Sequence, residues 1–245
     1  MQRYFIEGEI PENRIVAITG DDAKHIAKVM RQEAGDEILI VVDNAAYLAE
    51  IISLDQTVKV LLKDEIKAET ELPIQVTIAC GLPKGDKLEL IVQKSTELGM
   101  SGLIPFAAER SIVKWDAVKS DKKVLRLQKI AKEAAEQSHR VQIPKIYSPC
   151  SFKDLLKAAE SYDAVVVAYE EEARETHRIR FAETVKSLYD KSSILMVFGP
   201  EGGFSQLEAE QLRSLGAVFT SLGPRILRAE TAPLYALSAI SYEFE

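Results

Sequence analysis

The 245-residue chain contains only two cysteines and three histidines, so it has few residues that could form disulfides or bind a transition metal. It also contains a single tryptophan. Cys80 and Cys150 lie far apart and form no metal-like spacing with the histidines, so no metal site is expected. Two isolated cysteines predict a reduced, cytoplasmic protein. No apolar run reaches the length of a membrane span and no basic-then-apolar leader opens the chain, so no membrane association is expected.

Positive charge is also in deficit, because 31 Lys and Arg residues face 38 Asp and Glu residues, for a net charge of −7. Phosphate contacts need cations, so the total charge argues only weakly against a general nucleic-acid binder. The charges are unevenly distributed. An acidic block spans Glu170–Glu175, whereas the most basic stretch runs from Arg110 to Lys145. A confined basic face therefore stays compatible with the composition.

What the chain does have is two contrasting patterns. Short, β-branched and partly alternating runs dominate the first 67 residues, which predicts a small β-rich module, a barrel, over residues 1–70. One helix is predicted inside it, Asp21 to Gln32, with Ile26 and Val29 on one face. The polar segment Ala68–Pro73 ends in proline and is the predicted linker.

Residues 74–245 alternate between strands and helices. Continuous apolar runs such as "DAVVVAY" and "ILMVF" are typical of parallel strands that are buried on both faces. Ser205 and Glu208 form an S-x-x-E capping box at the start of a helix. The second part of the chain is therefore predicted to be an α/β domain with a parallel sheet.

The stretch "FGPEGGFSQLE", Phe198 to Glu208, follows a predicted strand and precedes a predicted helix. Its glycines permit close backbone approach, and ligands of open α/β sheets bind beyond the carboxyl ends of strands. Glu201 makes an anionic ligand unattractive, so the loop suits a neutral or cationic ligand. The alternative is a tight turn with an exposed glutamate.

A second loop, "SLGPRILRAETAPL" from Ser221 to Leu234, also follows a strand and precedes a helix. Ile226 and Leu227 are apolar residues in a loop and need something to cover them. Arg228 and Glu230 flank the start of the helix. In the alternative reading the loop packs on the core, and Arg228 pairs with Glu230. Because the two loops follow consecutive strands, adjacent strands are expected to bring them together.

Basic residues form three further groups, each of which could also be an ordinary solvated surface. The first group lies in the amino-terminal module, where three of its members have helical spacing. The second flanks a predicted helix at Lys87–Leu98, and the third belongs to the basic stretch. The residues predicted to bind RNA are Arg3, His25, Lys28, Arg31, Lys84, Lys87, Arg110 and Arg140.

Taken together, these motifs resemble the ribosomal RNA uracil-N3 methyltransferases, the RsmE family of the SPOUT superfamily. The resemblance is carried by "GPEGGFSQLE", "LGPRILRAETA", "KGDKLELIVQKSTELG", "ERSIV", "EAAEQSHR", "RYF" and "HIAKVMR", in order along nearly the whole chain. One departure is His139, where a small residue, usually glycine, is expected; it concerns the local shape beside Arg140.

The resemblance implies a PUA-like β-barrel followed by a SPOUT domain, whose carboxyl-terminal segment threads into a trefoil knot. It also implies a homodimer, 16S ribosomal RNA or the small ribosomal subunit as partner, and 3-methyluridine as product. S-adenosylmethionine would bind in the two loops, where backbone groups and apolar walls suit its adenine. The implied cofactor-binding residues are Phe198, Gly199, Pro200, Glu201, Gly203, Leu222, Gly223, Ile226, Leu227, Arg228, Thr231 and Ala232.

Methylation of uridine N3 requires loss of a weakly acidic proton while negative charge develops on the base. Arg228 is a candidate to stabilise that charge. Glu201 or Glu230 is a candidate to accept the proton, and the sequence does not rank them. Three alternatives stay open: a SPOUT methyltransferase for another RNA nucleotide, a non-catalytic RNA-binding protein, and an enzyme that binds a nucleotide phosphate at Gly199–Ser205.

Overall fold

A computed structural model describes residues 1–113, 115, 117–169 and 180–244, so the acidic block Glu170–Glu175 lies outside the described residues. The chain divides into two compact units. The first comprises Met1–Glu71 and Ala135–Gln142, and the second comprises Leu72–Ala134 and Ile143–Glu245. The division after Glu71 falls within the predicted linker, whereas the membership of Ala135–Gln142 in the first unit has no signal in the sequence.

The first unit is built on one curled, five-stranded sheet in the order β1-β3-β4-β5-β2. Only β1 and β3 pair in parallel; the other neighbours are antiparallel. The curled sheet encloses a core of aliphatic side chains from alternating strand positions. The strands are β1 Arg3–Phe5, β2 Ile15–Ile18, β3 Glu37–Val42, β4 Ala45–Leu54 and β5 Val58–Ile66.

The predicted helix of this unit is shorter and less regular than the sequence indicated. It consists of α1, Gly20–Lys24, followed by a π-helical turn over His25–Val29, where the Met30 amide donates to the His25 carbonyl across five residues. This wider turn rotates the residues out of α-helical register. The prediction that Ile26 and Val29 share a face is therefore wrong: Ile26 is fully buried and Val29 is 66% exposed.

The segment 135–142 is fastened to the first unit by a cluster around Glu71. The Glu71 carboxylate accepts hydrogen bonds from Arg140 Nε at 3.1 Å, from the Val141 amide at 2.9 Å and from the Gln142 amide at 3.3 Å. On the other side Arg3 donates to the carbonyls of His139 and Arg140. Buried ionic groups need partners of this kind, because an unpaired buried charge is costly.

The second unit contains a seven-stranded sheet in which every pairing is parallel. The strands run in the order β12-β10-β11-β6-β7-β8, with β9 also paired to β7. This confirms the predicted α/β class. The strands are β6 Gln75–Gly81, β7 Gly102–Ala107, β8 Lys145–Ile146, β9 Cys150–Ser151, β10 Ala164–Ala168, β11 Ser193–Phe198 and β12 Val218–Thr220.

Six helices accompany this sheet within the residues that the structure describes. The serine cap predicted for α4 is present, since Ser151 Oγ accepts from the Asp154 amide, and Gly99 follows α2 with φ +92°. Helix α3 begins and ends earlier than the predicted Lys122–Arg140, and α5 was not predicted. The helices are α2 Lys87–Glu97, α3 Ala117–Gln137, α4 Phe152–Ala159, α5 Phe181–Lys186, α6 Gln206–Ser214 and α7 Thr231–Phe244.

Both faces of the parallel sheet are covered, which explains the uninterrupted apolar runs. In β11, Ile194, Met196 and Phe198 pack in the core on one face together with residues of α2, α5 and α7. The alternate residues Leu195 and Val197 pack on the other face with residues of α4 and α6. Because no face of this strand meets water, it shows no polar alternation.

His139 adopts a left-handed backbone conformation with φ +60°. This conformation costs a non-glycine residue about 1 kcal/mol or more, and glycine adopts it without steric strain. The backbone shape for which the resemblance predicts a glycine is thus adopted here by a strained histidine. Its pKa is lowered by burial, and further by the charges of Arg3 and the amino terminus.

His139→Gly is expected to raise the free energy of unfolding by up to about 1 kcal/mol at neutral pH. The difference from the wild type should grow as the pH falls below about 6.5, because the unfolded chain then binds a proton that the folded histidine resists. Urea denaturation between pH 5 and pH 8 measures both effects. His139→Ala is the control: it removes the imidazole but keeps a strained Cβ, so a gain equal to that of glycine contradicts the explanation.

Candidate active site at the carboxyl edge of the parallel sheet

All strands of the second sheet point the same way, so the loops that follow them emerge at one edge. The loops after β6 (82–86), β7 (108–113) and β11 (199–205) follow three neighbouring strands. The loop after β12 (221–230) does not, because β10 lies between β11 and β12. The expectation that adjacent strands join the two predicted cofactor loops is therefore wrong. Ion pairs of Lys87 with Glu201 and Glu230 connect these loops instead.

The loop after β11 packs tightly against the loop after β7. A Cβ atom added at Gly202 would lie 2.9 Å from Arg110 Cβ and 3.0 Å from the Arg110 carbonyl oxygen. Arg110 Nη1 also donates to the Gly202 carbonyl at 3.3 Å. Glycine is required at this position because any side chain would displace backbone. Arg110, predicted to bind RNA, is thus placed against the glycine loop.

Glu208 forms hydrogen bonds with both of these loops. The predicted capping box is present: Glu208 Oε2 accepts from the Ser205 amide at 2.9 Å, and Ser205 Oγ accepts from the Glu208 amide at 3.3 Å. Its second oxygen, Oε1, accepts from the Glu109 amide at 2.8 Å, in the loop after β7. The sequence signature predicted the cap but carried no signal for this second bond, because the partner lies 99 residues away.

A cluster of three charged side chains joins the glycine loop to the loop after β12. Lys87 Nζ lies 2.9 Å from Glu201 Oε1 and 3.3 Å from Glu230 Oε2. Glu201 Oε1 also accepts from the Lys84 amide at 3.2 Å. Glu230 Oε2 is buried and has no aligned hydrogen-bond donor, although the ammonium of Lys87 is near. One cation thus serves two carboxylates from different loops.

The three groups of this cluster stabilise one another's charged states. Burial opposes ionisation of Glu201, but hydrogen bonds from Lys87 and from backbone amides outweigh it and lower the Glu201 pKa. The pKa of Glu230 is lowered chiefly by its own backbone amide, with help from the charges of Lys87 and Arg228. The hydrogen bond to Glu201 raises the pKa of Lys87. All three are therefore charged at neutral pH.

The loop after β12 is held at its two ends and open in the middle. Ser221 Oγ donates to the Gly223 carbonyl at 2.9 Å, and the Arg228 carbonyl accepts from the amides of Thr231 and Ala232 at the start of α7. Between them Ile226 is 72% exposed. The alternative reading, in which Ile226 is covered by the core of this chain, does not hold for its side chain.

The residues of these loops fit an uncharged adenosine carrying a cationic sulfonium. A Cβ atom at Gly203 or at Gly223 would meet nothing within 4 Å, so open space borders both loops. The exposed side chain of Ile226 supplies uncovered apolar surface there. The ammonium of Lys87 is already shared by two carboxylates, which leaves it poorly suited to a phosphate.

The other predicted cofactor residues take different positions. Phe198 and Pro200 are buried. Leu222 and Leu227 are half-buried. Arg228, the candidate for charge stabilisation, has an exposed side chain.

In the first unit, the predicted RNA-binding residues separate into two classes. Arg3 and Arg140 are only 6% and 2% exposed, and their guanidinium groups bond to carbonyls and to Glu71. These two arginines hold the fold together, so direct RNA contact is not retained for them. His25 is half-buried and its Nδ1 lies 2.9 Å from the Tyr4 hydroxyl. Burial raises the pKa of that hydroxyl to about 12.

Lys28 and Arg31 are exposed at the end of the π-helical turn, and Lys84 is exposed in the loop after β6. Lys28 and Arg31 do not share an α-helical face with His25, because the π-turn changes their spacing and Arg31 has φ +53°. They remain accessible cations nonetheless.

Within the described ranges, no group of three or more His, Cys, Asp or Glu side chains is arranged to hold a metal ion. None of the helices in those same ranges is long and apolar enough to cross a bilayer.

Glu208→Gln is expected to lower the free energy of unfolding by about 1–3 kcal/mol. The substitution leaves one acceptor oxygen for two amides, so one buried N–H loses its partner. Glu210→Gln is the matched control on the same helix: Glu210 is exposed and accepts from Gln206, so its loss should change stability by less than about 0.5 kcal/mol. Equal effects of both substitutions in urea denaturation would contradict a special role for Glu208.

Comparison with known proteins agrees with this geometry. A family model described as an RNA methyltransferase domain matches residues 70–241, and one described as an RNA methyltransferase PUA domain matches residues 18–62. The chain is 49% identical over 251 residues to the Ribosomal RNA small subunit methyltransferase E of Bacillus subtilis (strain 168), covering 100% of this chain and 98% of that protein.

Two solved structures share the fold over nearly their full lengths. One is a Ribosomal RNA small subunit methyltransferase E from Neisseria gonorrhoeae bound to S-adenosyl methionine, with a TM-score of 0.85 and 26% identity over 100% of this chain and 98% of that one. The other, from Legionella pneumophila with bound cofactor SAM, has a TM-score of 0.86 and 28% identity over 98% and 97%. The chain belongs to the RNA methyltransferase family that includes the ribosomal RNA small subunit methyltransferases E.

Proposed function

We propose that this protein transfers a methyl group from S-adenosylmethionine to N3 of a uridine in 16S ribosomal RNA. The observation that carries the proposal is the 49% identity, over the whole chain, to a small-subunit ribosomal RNA methyltransferase. The S-adenosylmethionine bound in the related solved structures supports the choice of cofactor. When bound, this cofactor supplies an activated methyl carbon on a sulfonium.

The cofactor would be held by the loops 199–205 and 221–230. Their open glycines and the exposed side chain of Ile226 offer close backbone approach and an apolar wall. The cluster of Lys87, Glu201 and Glu230 carries one positive and two negative charges, a net charge of −1. A negative cluster is compatible with a sulfonium and unfavourable for a nucleotide phosphate, which argues against the phosphate-binding alternative.

In the proposed reaction, uridine N3 loses its proton and forms a bond to the methyl carbon while the carbon–sulfur bond breaks. Arg228 has an exposed guanidinium beside the two loops and would stabilise the negative charge that develops on the base. Glu201 and Glu230 are both candidates to accept the proton: each has an oxygen beside the Lys87 ammonium, Glu201 Oε1 at 2.9 Å and Glu230 Oε2 at 3.3 Å.

RNA would be held by exposed cations of both units, Lys28 and Arg31 in the first and Lys84 and Arg110 in the second. His25 supports the first pair through its contact with Tyr4. The PUA match of residues 18–62, which includes the π-helical turn, supports this role for the first unit. An acidic protein can bind RNA in this way because local charge, not the total, decides the contact.

Further parts of the proposal are a carboxyl-terminal trefoil knot, a cytoplasmic location and a homodimer. Two free cysteines, with Cys80 fully buried, are compatible with a reducing compartment. Tyr235 and Tyr242 are exposed on one face of α7, beside a groove between α5 and α7. Exposed aromatic residues of this kind are frequent at subunit interfaces.

Mass spectrometry of small-subunit RNA tests the reaction. RNA from cells that lack the protein should lose one 3-methyluridine, and the purified protein with S-adenosylmethionine should restore it. Loss of a different modification, mapped by primer extension, would favour a SPOUT enzyme with another target nucleotide. Unchanged RNA, together with no cofactor binding in calorimetry, would favour a non-catalytic RNA-binding protein.

Arg228→Ala is expected to lower kcat about 10²-fold to 10³-fold at saturating cofactor, because it removes charge stabilisation in the transition state. Glu230→Gln should lower kcat about 10²-fold or more if this carboxylate accepts the proton. Glu201→Gln should cause the same loss of kcat if Glu201 is the proton acceptor instead. Arg225→Ala, an exposed arginine of the same loop, is the charge-matched control for Arg228. Equal kcat losses for the two arginine variants would contradict the assigned role.

The dimer is tested by light scattering coupled to size-exclusion chromatography. Tyr242→Glu places a charge on the exposed face of α7 and should convert a dimer into a monomer, because a buried unpaired carboxylate is costly at an interface. Leu125→Glu, which places a charge on an exposed residue of α3 that does not line the groove, is the control. A wild-type protein that elutes as a monomer, or a Tyr242→Glu variant that stays dimeric, contradicts this interface.

A further inference from the structure

Lys87 is an unusual first residue for a helix. It opens α2, where the partial positive charge of the helix dipole disfavours a cation. The preceding N-cap residue, Asp86, makes no side-chain capping bond that would offset this. The placement of Lys87 is therefore unfavourable for the helix itself, and its contacts outside the helix must explain it.

Those contacts connect three loops at the carboxyl edge of the sheet. The backbone of Lys87 belongs to the helix that follows β6, while its ammonium lies 2.9 Å from Glu201 in the loop after β11. The same ammonium lies 3.3 Å from Glu230, at the end of the loop after β12. The strands β11 and β12 are not neighbours, so hydrogen bonding within the sheet does not hold these two loops together.

The Lys87 side chain is 33% exposed, while those of Glu201 and Glu230 are 29% and 16% exposed. An ion pair in this partly desolvated setting is stronger than a fully exposed pair. Removal of the Lys87 ammonium would leave two neighbouring carboxylates without the cation that they share, and one of their oxygens, Glu230 Oε2, is buried with no aligned donor among the described residues. Like charges brought together in this way repel and would push the loops apart.

We propose that Lys87 is a positioning residue, whose ammonium holds the loops 199–205 and 221–230 in the arrangement that binds the cofactor, and not a phosphate contact. The proposal rests on the proposed function for the identity of the ligand. It replaces the role that the sequence predicted for Lys87, since an ammonium with two carboxylate partners has little capacity left for RNA phosphates.

Three lysines at or near α2 allow a matched experiment. Lys87→Met removes the shared ammonium. Lys84→Met removes an exposed side chain of the adjacent loop and keeps the backbone amide that bonds to Glu201. Lys94→Met removes a lysine of the same helix that pairs with Glu97 on the surface. Each substitution removes one positive charge. Differences between the variants therefore reflect the position of the lysine and not the change in net charge.

The first measurement is amide hydrogen exchange in the absence of cofactor and RNA. Lys87→Met is expected to speed exchange in the loops 199–205 and 221–230, whereas Lys94→Met leaves both unchanged. This readout does not depend on which ligand binds, so it tests the positioning role even if the proposed function fails. Unchanged exchange in both loops for Lys87→Met overturns the proposal.

The second measurement compares cofactor affinity with RNA affinity. Calorimetry with S-adenosylmethionine should show on the order of tenfold weaker binding for Lys87→Met, wild-type binding for Lys94→Met, and substantial recovery in Lys87→Arg. The association constant for a 16S RNA fragment should decrease with salt, and the slope of its logarithm against log salt should be shallower by about 0.7–0.9 for Lys84→Met. For Lys87→Met this slope should stay at the wild-type value. A reduced slope with normal cofactor affinity in Lys87→Met identifies a phosphate contact and overturns the proposal.

The wild-type protein separates the two levels of inference. If it binds no S-adenosylmethionine, the proposed function is wrong, and the exchange measurement alone then decides the role of Lys87. If it binds the cofactor but Lys87→Met binds it equally well, the function stands and the positioning role is wrong.

Discussion

The common direction of the seven strands in the second unit determines where ligands can bind. Both faces of the sheet are buried under helices, so no ligand can approach the strands from above or below. Ligands of such sheets bind beyond the carboxyl ends of the strands, and the glycine loop, the loop after β12 and the start of α2 all lie at that edge. Because helices cover both faces of the sheet, the candidate site lies at an edge of the sheet and not on a face.

Charge in this protein is used locally. Arg3 and Arg140 form hydrogen bonds and an ion pair inside the first unit, and Lys87 forms ion pairs with Glu201 and Glu230. The cations available to RNA are therefore fewer than the sequence suggests. In an acidic chain this distinction matters, because a count of basic residues overestimates the surface that can meet phosphates.

The sequence predicted those features that depend on neighbouring residues. The capping box at Ser205, the cap at Ser151 and the apolar runs of β10 and β11 are set by local spacing, and the structure contains them. The family resemblance predicted the two loops as a site. Periodicity failed at His25–Val29, where a π-turn replaced the α-helical register that the pattern assumed.

Contacts between residues that are distant along the chain could not be predicted from the sequence, because local patterns carry no information about them. The pairing of Glu71 with Arg140 and of Glu208 with the Glu109 amide gave no local signal. Nor did the strand order, in which β10 separates β11 from β12. An exposed lysine and a shared, ion-paired lysine look identical in sequence, which is why Lys84 and Lys87 received the same prediction.

The two proposed cofactor loops differ in how well they tolerate substitution. The loop after β11 is tied down at Glu201, at Gly202 and through the Ser205–Glu208 cap, so a change at any of these points disturbs a neighbouring loop as well. The loop after β12 is held at its ends and has an open middle around Ile226. Sequence drift, and attempts to admit a bulkier cofactor analogue, will therefore meet less resistance in the second loop than in the first.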